Sequence, residues 1–148
     1  MWNQTVQPEV IPFWRFDGIF LMKKPSTKLP GEHYGVLISG EALRFLGLYG
    51  YPSVVVERTS EIRAVWAEET GIWQVLEQVP HHETEAAVAR ARAVFNDPNY
   101  YLLTNNCEHT ARYIISGEKR STQIDWYVSV GLVAAVATAI WSGNRRDD

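Results

Sequence analysis

At 148 residues, with 46% hydrophobic and 21% charged, the chain is long enough for one domain with a core and too apolar for a disordered segment. A net charge of −3 and a pI near 5.8 argue against general nucleic-acid binding. A single cysteine excludes an intrachain disulfide and fits a reducing compartment, while 12% aromatics, six of them Trp, leave room for a lipid- or ligand-facing surface.

Residues 1–17 read as an arm laid over the domain, with prolines at 8 and 12, no periodicity, and Trp2, Phe13 and Trp14 as anchors. They lack the basic segment and apolar run of a signal peptide, so the chain is expected to be cytoplasmic. Gly18 to Met22 is a short apolar run suited to a buried strand, and Lys23 to Glu32 is a basic loop broken by Pro and Gly. From His33 to Ser39 the residues alternate, placing His33, Gly35, Leu37 and Ser39 on one strand face and Tyr34, Val36 and Ile38 on the other. Glu41 to Pro52 is broken by Gly47, Gly50 and Pro52 and reads as a loop or short helix. Ser53 to Arg58 is β-branched and strand-like, with Glu57 on the face of Val55, and Ile62–Trp66 and Trp73–Val79 are further strand candidates.

Glu83 to Phe95 carries the clearest helical period, with Ala87, Val88, Ala91, Val94 and Phe95 on one face; residues 96–99 end it. Tyr100 to Leu103 is strand-like, and Asn105 and Asn106 suit a helix cap. Ala111, Ile114 and Ile115 then recur at helical spacing up to Gly117. Cys107 therefore falls in the first turn of a helix, where unpaired N–H groups and the helix dipole favour thiolate. The alternative is a small buried hydrophobe, but the polar neighbours Asn105, Asn106, Glu108 and His109 are poor company for an inert thiol.

Trp126 to Trp141 is uncharged with aromatics at both ends, shorter than the ~20 residues an upright membrane span needs. It is a candidate membrane contact or else a buried or oligomer-forming helix. Strands followed by helices imply an α+β fold: a small antiparallel sheet packed with helices, plus this C-terminal hydrophobic helix.

A thiol nucleophile needs a base, a group to orient that base, and donors for the oxyanion. His81 and His82 follow Pro80 in a loop and read as surface residues. His109 is two residues from Cys107, roughly 200° around a helix, so packing or capping suits it better. His33 opens a strand that could lie beside the cysteine helix, as a base or as a structural histidine. The backbone N–H of Cys107 and the side chain of Asn106 are oxyanion candidates. No metal-ligand spacing is present.

The run Tyr101-x-x-x-Asn105-Asn106-Cys107-Glu108-His109, with Gly117 and Ser121-x-Gln123 after it, closely resembles the cysteine motif of the lecithin:retinol acyltransferase-like family. GEHYGVLIS, from Gly31 to Ser39, is similar to that family's histidine-opened strand. The resemblance implies a papain-related catalytic domain over residues 18–124, with residues 125–148 as the C-terminal helix and charged tail. It implies Cys107 as nucleophile, His33 as base with Tyr34 supporting it, no cofactor, and a lipid or acyl-ester substrate reacting through a thioester. Several such proteins carry a C-terminal hydrophobic anchor, which adds to the membrane reading of residues 126–141. Two positions depart from the family: Thr110 stands where Phe is most usual, and Glu57 where a second histidine is usual. At that place the Glu57 carboxylate could orient His33, or else pair with Arg58 or Arg63 in solvent. The alternatives are a thiol peptidase or amidase of the NlpC type and a catalytically silent membrane-associated or protein-binding module.

Overall fold

A computed structural model gives the fold, describing residues 16–27, 30–50, 53–97 and 106–143. The expected strand at Tyr100–Leu103 and most of the expected N-terminal arm lie outside the described residues. The rest is α+β, as expected. The strands β1 (Gly18–Pro25), β2 (Glu32–Ser39), β3 (Val54–Arg58), β4 (Ile62–Trp66) and β5 (Gln74–Gln78) form one antiparallel sheet. Their order is β4-β3-β2-β1-β5, so β5 crosses over to pair with β1 at the far edge. The expected short helix after β2 is a 3-10 helix, Gly40–Leu46, closed by Gly47 at φ +74°.

Period-2 alternation decides which side chains face the helices. Tyr34, Val36 and Ile38 of β2 join Ile19, Leu21, Val54 and Val56 in a core cluster under α1 (Thr84–Val94) and α2 (Cys107–Ser116). The opposite face buries Phe20, Met22, Leu37 and Val55 with Ala67, so β1–β3 are covered on both sides at their centres. That is why β1 reads as an unbroken apolar run rather than an alternating one. Ile19, Val36, Ile38 and Ile114 are fully buried, and each is worth about 1.5–3 kcal/mol of transfer free energy.

Ala87, Val88, Ala91 and Val94 of α1 are buried as their period predicts, but Phe95 is 45% exposed, because the helix ends one residue earlier. Arg90 ties the two helices together: its Nε and Nη2 donate to the terminal carbonyls of α2 at Ile114 (2.8 Å) and Ile115 (2.9 Å). Carbonyls at a helix end lack intrahelical partners, so this cation both satisfies and electrostatically complements them.

The last helix, α3, spans Thr122–Gly143. Its first turns touch the domain, whereas Trp126, Val128, Leu132 and Val133 are exposed. Among the described residues no helix is long and apolar enough to cross a membrane.

Candidate active site

The start of α2 is set by Asn106. Its backbone is extended (φ −96°, ψ −175°), and its side-chain oxygen accepts the His109 N–H at 3.0 Å. That N-cap makes Cys107 the first helical residue, as the sequence predicts, and Gly117 at φ +80° closes the helix. Cys107 is a half-buried free thiol, with Sγ 4.0 Å from the Glu32 carbonyl oxygen at the start of β2.

His33 is the second residue of β2, and Glu57 lies opposite Gly35 on β3. Residues two apart share a strand face, so His33 and Glu57 are diagonal neighbours, within reach for long side chains. The carboxylate closes that diagonal: Glu57 Oε2 lies 2.7 Å from His33 Nε2. With Nε2 engaged, Nδ1 is the ring nitrogen left for Cys107, whose proximity raises the His33 pKa. Cysteine from the helix and histidine from the strand thus meet where β2 begins, with the carboxylate behind the ring.

Gly35 is part of this construction. A Cβ there would lie 2.9 Å from the Trp73 indole and 3.1 Å from Val55. The missing side chain lets Trp73 settle against the sheet beside His33, ring centroids 5.7 Å apart. Trp73 is fixed by donating its Nε1–H to the Thr70 hydroxyl at 2.7 Å, and Lys24 Nζ sits 4.2 Å from its ring centroid. Lys24 also donates to the Thr70 carbonyl at 2.6 Å, and burial lowers its pKa.

The electrostatics follow from these contacts. Burial works against a charged His33, but the hydrogen bonds and negative charge of Cys107 and Glu57 outweigh it and hold the pKa at about 9. Burial works equally against an ionised Glu57, which is 2% exposed. Hydrogen bonds from His33 and Arg63 overcome that and hold its pKa at about 2. The sequence posed His33 and Arg63 as rival partners for Glu57; the carboxylate takes both, one on each oxygen.

These groups line a cleft of about 530 Å³ with Asn106. Lys24 and Arg63 bring positive charge to its wall, and Pro30, Ile124 and Tyr127 give it an apolar side toward α3. Asn106, the other expected oxyanion candidate, lines the cleft, and its side-chain oxygen serves the helix cap. Tyr34 does not line the cleft. It is 6% exposed in the helix-side core, its ring 5.8 Å from the Arg112 guanidinium. Alternation turns it away from the face of His33, so this expected supporting residue is not brought into the cleft.

His81 and His82 are exposed, and His109 is buried with its pKa lowered by burial. Among the described residues no group of three or more His, Cys, Asp or Glu is arranged to hold a metal ion.

Glu108 is the residue whose importance the sequence understated. Fully buried beside Cys107, its carboxylate accepts from Arg112 Nε (2.9 Å), Thr122 Oγ1 (2.8 Å), Ser121 Oγ (2.7 Å) and the Gln123 N–H (3.2 Å). Gln123 then spans to β2, accepting the Glu32 N–H at 2.8 Å and donating to the Glu32 carbonyl at 3.1 Å. The Ser121-x-Gln123 spacing was the available signal. Those residues lock the start of α3 to both halves of the site.

Thr110, one of the two departures from the family pattern, has a partner that explains a hydroxyl there. Its Oγ1 accepts from Nε of the buried Arg58 at 2.6 Å, which an aromatic ring would not do. The chain matches no protein-family model, no curated protein and no solved structure.

Proposed function

We propose that this chain is a cysteine-dependent acyltransferase or lipid-ester hydrolase similar to the lecithin:retinol acyltransferase-like family. The observation that supports this most is the Cys107–His33–Glu57 relay in one cleft, with each member on a different element. A histidine with a pKa of about 9 is imidazolium at neutral pH and holds the proton that a leaving alcohol requires, and the attacking form of a cysteine sulfur is the thiolate.

In the proposed reaction the Cys107 sulfur attacks the ester carbonyl carbon. The carbonyl π electrons move onto oxygen, where the Cys107 N–H at the start of α2 stabilises the charge. Collapse breaks the C–O bond, and His33 gives its proton to the departing alcohol, leaving a thioester and a neutral imidazole. Water, or an acceptor alcohol or amine, then attacks the thioester as His33 takes its proton. Collapse breaks the C–S bond. The acylated acceptor leaves, or a carboxylic acid that loses its proton to solvent, and the sulfur is released beside a protonated His33. Glu57 stays ionised throughout and fixes the ring with Nδ1 toward sulfur.

The lipid class is supported by the apolar wall of Ile124 and Tyr127, which leads from the cleft onto the exposed apolar residues of α3. We place α3 at a lipid surface with its Trp126–Tyr127 pair at the interface. Incubation with phosphatidylcholine vesicles should give, by intact-protein mass spectrometry, one acyl adduct on Cys107 that Cys107→Ser lacks. No adduct from a thiol that reacts readily with iodoacetamide would shift the reading to peptide amides. An unreactive thiol would shift it to a silent binding module. Deleting residues 125–148 should leave the domain folded and reduce its binding to the same vesicles; unfolding instead would make α3 part of the core.

A further inference from the structure

We propose that Arg63 is a positioning residue of this cleft: from β4 it grips one oxygen of Glu57 so that the other stays ionised and aimed at His33. The inference rests on the reading of Cys107 as a nucleophile and goes beyond the relay described above. Glu57 and Arg63 are direct partners across β3 and β4. Arg63 places Nε 2.6 Å and Nη2 2.5 Å from Glu57 Oε1, while Oε2 faces His33.

A carboxylate held at one oxygen by two guanidinium nitrogens resists rotation, so its second oxygen is pre-aimed. The same contact opposes protonation. A nearly buried carboxyl with a histidine as its sole partner would be driven toward the neutral form by desolvation, and a permanent cation counters this. Arg63 is itself half exposed, and a pair between two exposed groups would contribute little. Here the partner is buried, so the attraction is less screened.

The other charged groups around Glu57 do not replace Arg63. His33 on β2 is the group being positioned. Lys24 on β1 senses the Glu57 charge but spends its ammonium on the Thr70 carbonyl. Cys107 on α2 interacts with His33, and Arg58 of β3, which also lines the cleft, spends its guanidinium on the Thr110 hydroxyl and the Asp97 carbonyl.

The test compares wild type with Arg63→Gln and Arg63→Lys in the full chain. NMR follows the Glu57 carboxyl through its titration, and iodoacetamide alkylation of Cys107 is timed against pH. Arg63→Gln should raise the Glu57 pKa by about one to three pH units. Its alkylation rate should be modestly below wild type near neutral pH, where only the aim of the carboxylate is lost, and fall behind by on the order of a further tenfold at about pH 4, as Glu57 takes up its proton. Arg63→Lys, which keeps the charge without the fork, should lie between the two. If the glutamine variant does not fold, the lysine variant decides, with an expected Glu57 rise of about one unit. An unchanged Glu57 titration, or a rate deficit equal at every pH, would overturn the proposal, since a merely structural role lowers the rate uniformly. A wild-type Cys107 no more reactive than glutathione would instead end the nucleophile reading, while the Glu57 titration would still report on Arg63.

Discussion

Two buried carboxylates, Glu57 in the cleft wall and Glu108 next to Cys107 on α2, differ in what their partners can do. Both are almost inaccessible, both pair with an arginine, and both are held at a pKa of about 2 against burial that would raise it. Glu108 is surrounded by Arg112, two hydroxyls and a backbone N–H, none of which changes charge near neutral pH. Glu57 gives one oxygen to a histidine that also reaches a thiol. A depressed carboxyl pKa therefore does not mark a catalytic group by itself; a titrating partner that faces a cleft is the discriminating feature.

The comparison breaks most sharply at His33. His33→Ala should lower turnover by on the order of 10²–10⁴-fold, measured on an ester substrate, because Glu57 would have no ring to orient. Glu108→Gln should act on stability instead, costing about 3–5 kcal/mol in urea denaturation by breaking a buried pair. Its folded fraction should alkylate at a rate close to wild type. A Glu108→Gln protein of normal stability with an unreactive Cys107 would erase the distinction. Glu57→Gln should lower turnover less than His33→Ala, since the amide keeps a contact to the ring and loses only its charge.

The two sites also separate by pH. The His33 pKa is raised from 6.5 to about 9, so its contribution to stability is complete below 6.5 and is lost as pH rises through about 9. Glu57 and Glu108 are lowered from 4.5 to about 2, so theirs is complete above 4.5 and is lost as pH falls through about 2. The stability gap between wild type and His33→Gln should therefore shrink between pH 6.5 and 9, whereas the gap for Glu108→Gln should hold there and shrink only below pH 4.5. Urea midpoints across both windows check this; gaps that close together would mean the sites are not electrostatically independent.

Much of this was legible in the sequence, because the relevant signals are local. Alternation in β2 sorted His33 from Tyr34 correctly, and Asn106 before Cys107 announced the cap that the structure shows. The face shared by Val55 and Glu57 was also readable, but which partner Glu57 would take was not. That depended on β3 and β4 pairing in the register that sets Glu57 against Arg63, and on β2 and β3 pairing in the register that sets Glu57 opposite Gly35, diagonal to His33. The covering of Gly35 by Trp73, the bond from Arg58 to Thr110, and the span from Gln123 to Glu32 join residues 38, 52 and 91 positions apart, so no local pattern encodes them. The crossover that brings β5 to β1 is of the same kind.

The smallest effect is expected where the same pair of residue types stands in water. His82 and Glu83 form a histidine–carboxylate contact of 3.7 Å, chemically the same pair as His33 and Glu57. The His82 side chain is 80% exposed and that of Glu83 47%, and their separation exceeds a hydrogen bond. Solvent screens their attraction, and each side chain loses rotamer freedom by holding it, so such a contact contributes little. The His33–Glu57 pair differs in having a buried carboxylate, a second cation to anchor it and a thiol on the far side of the ring. His82→Ala should accordingly change stability by no more than about 0.5 kcal/mol and leave Cys107 alkylation unchanged at every pH. A pH-dependent loss of reactivity in His82→Ala would mean that residue type, rather than burial and anchoring, makes the difference. The base would then have to be sought outside the cleft.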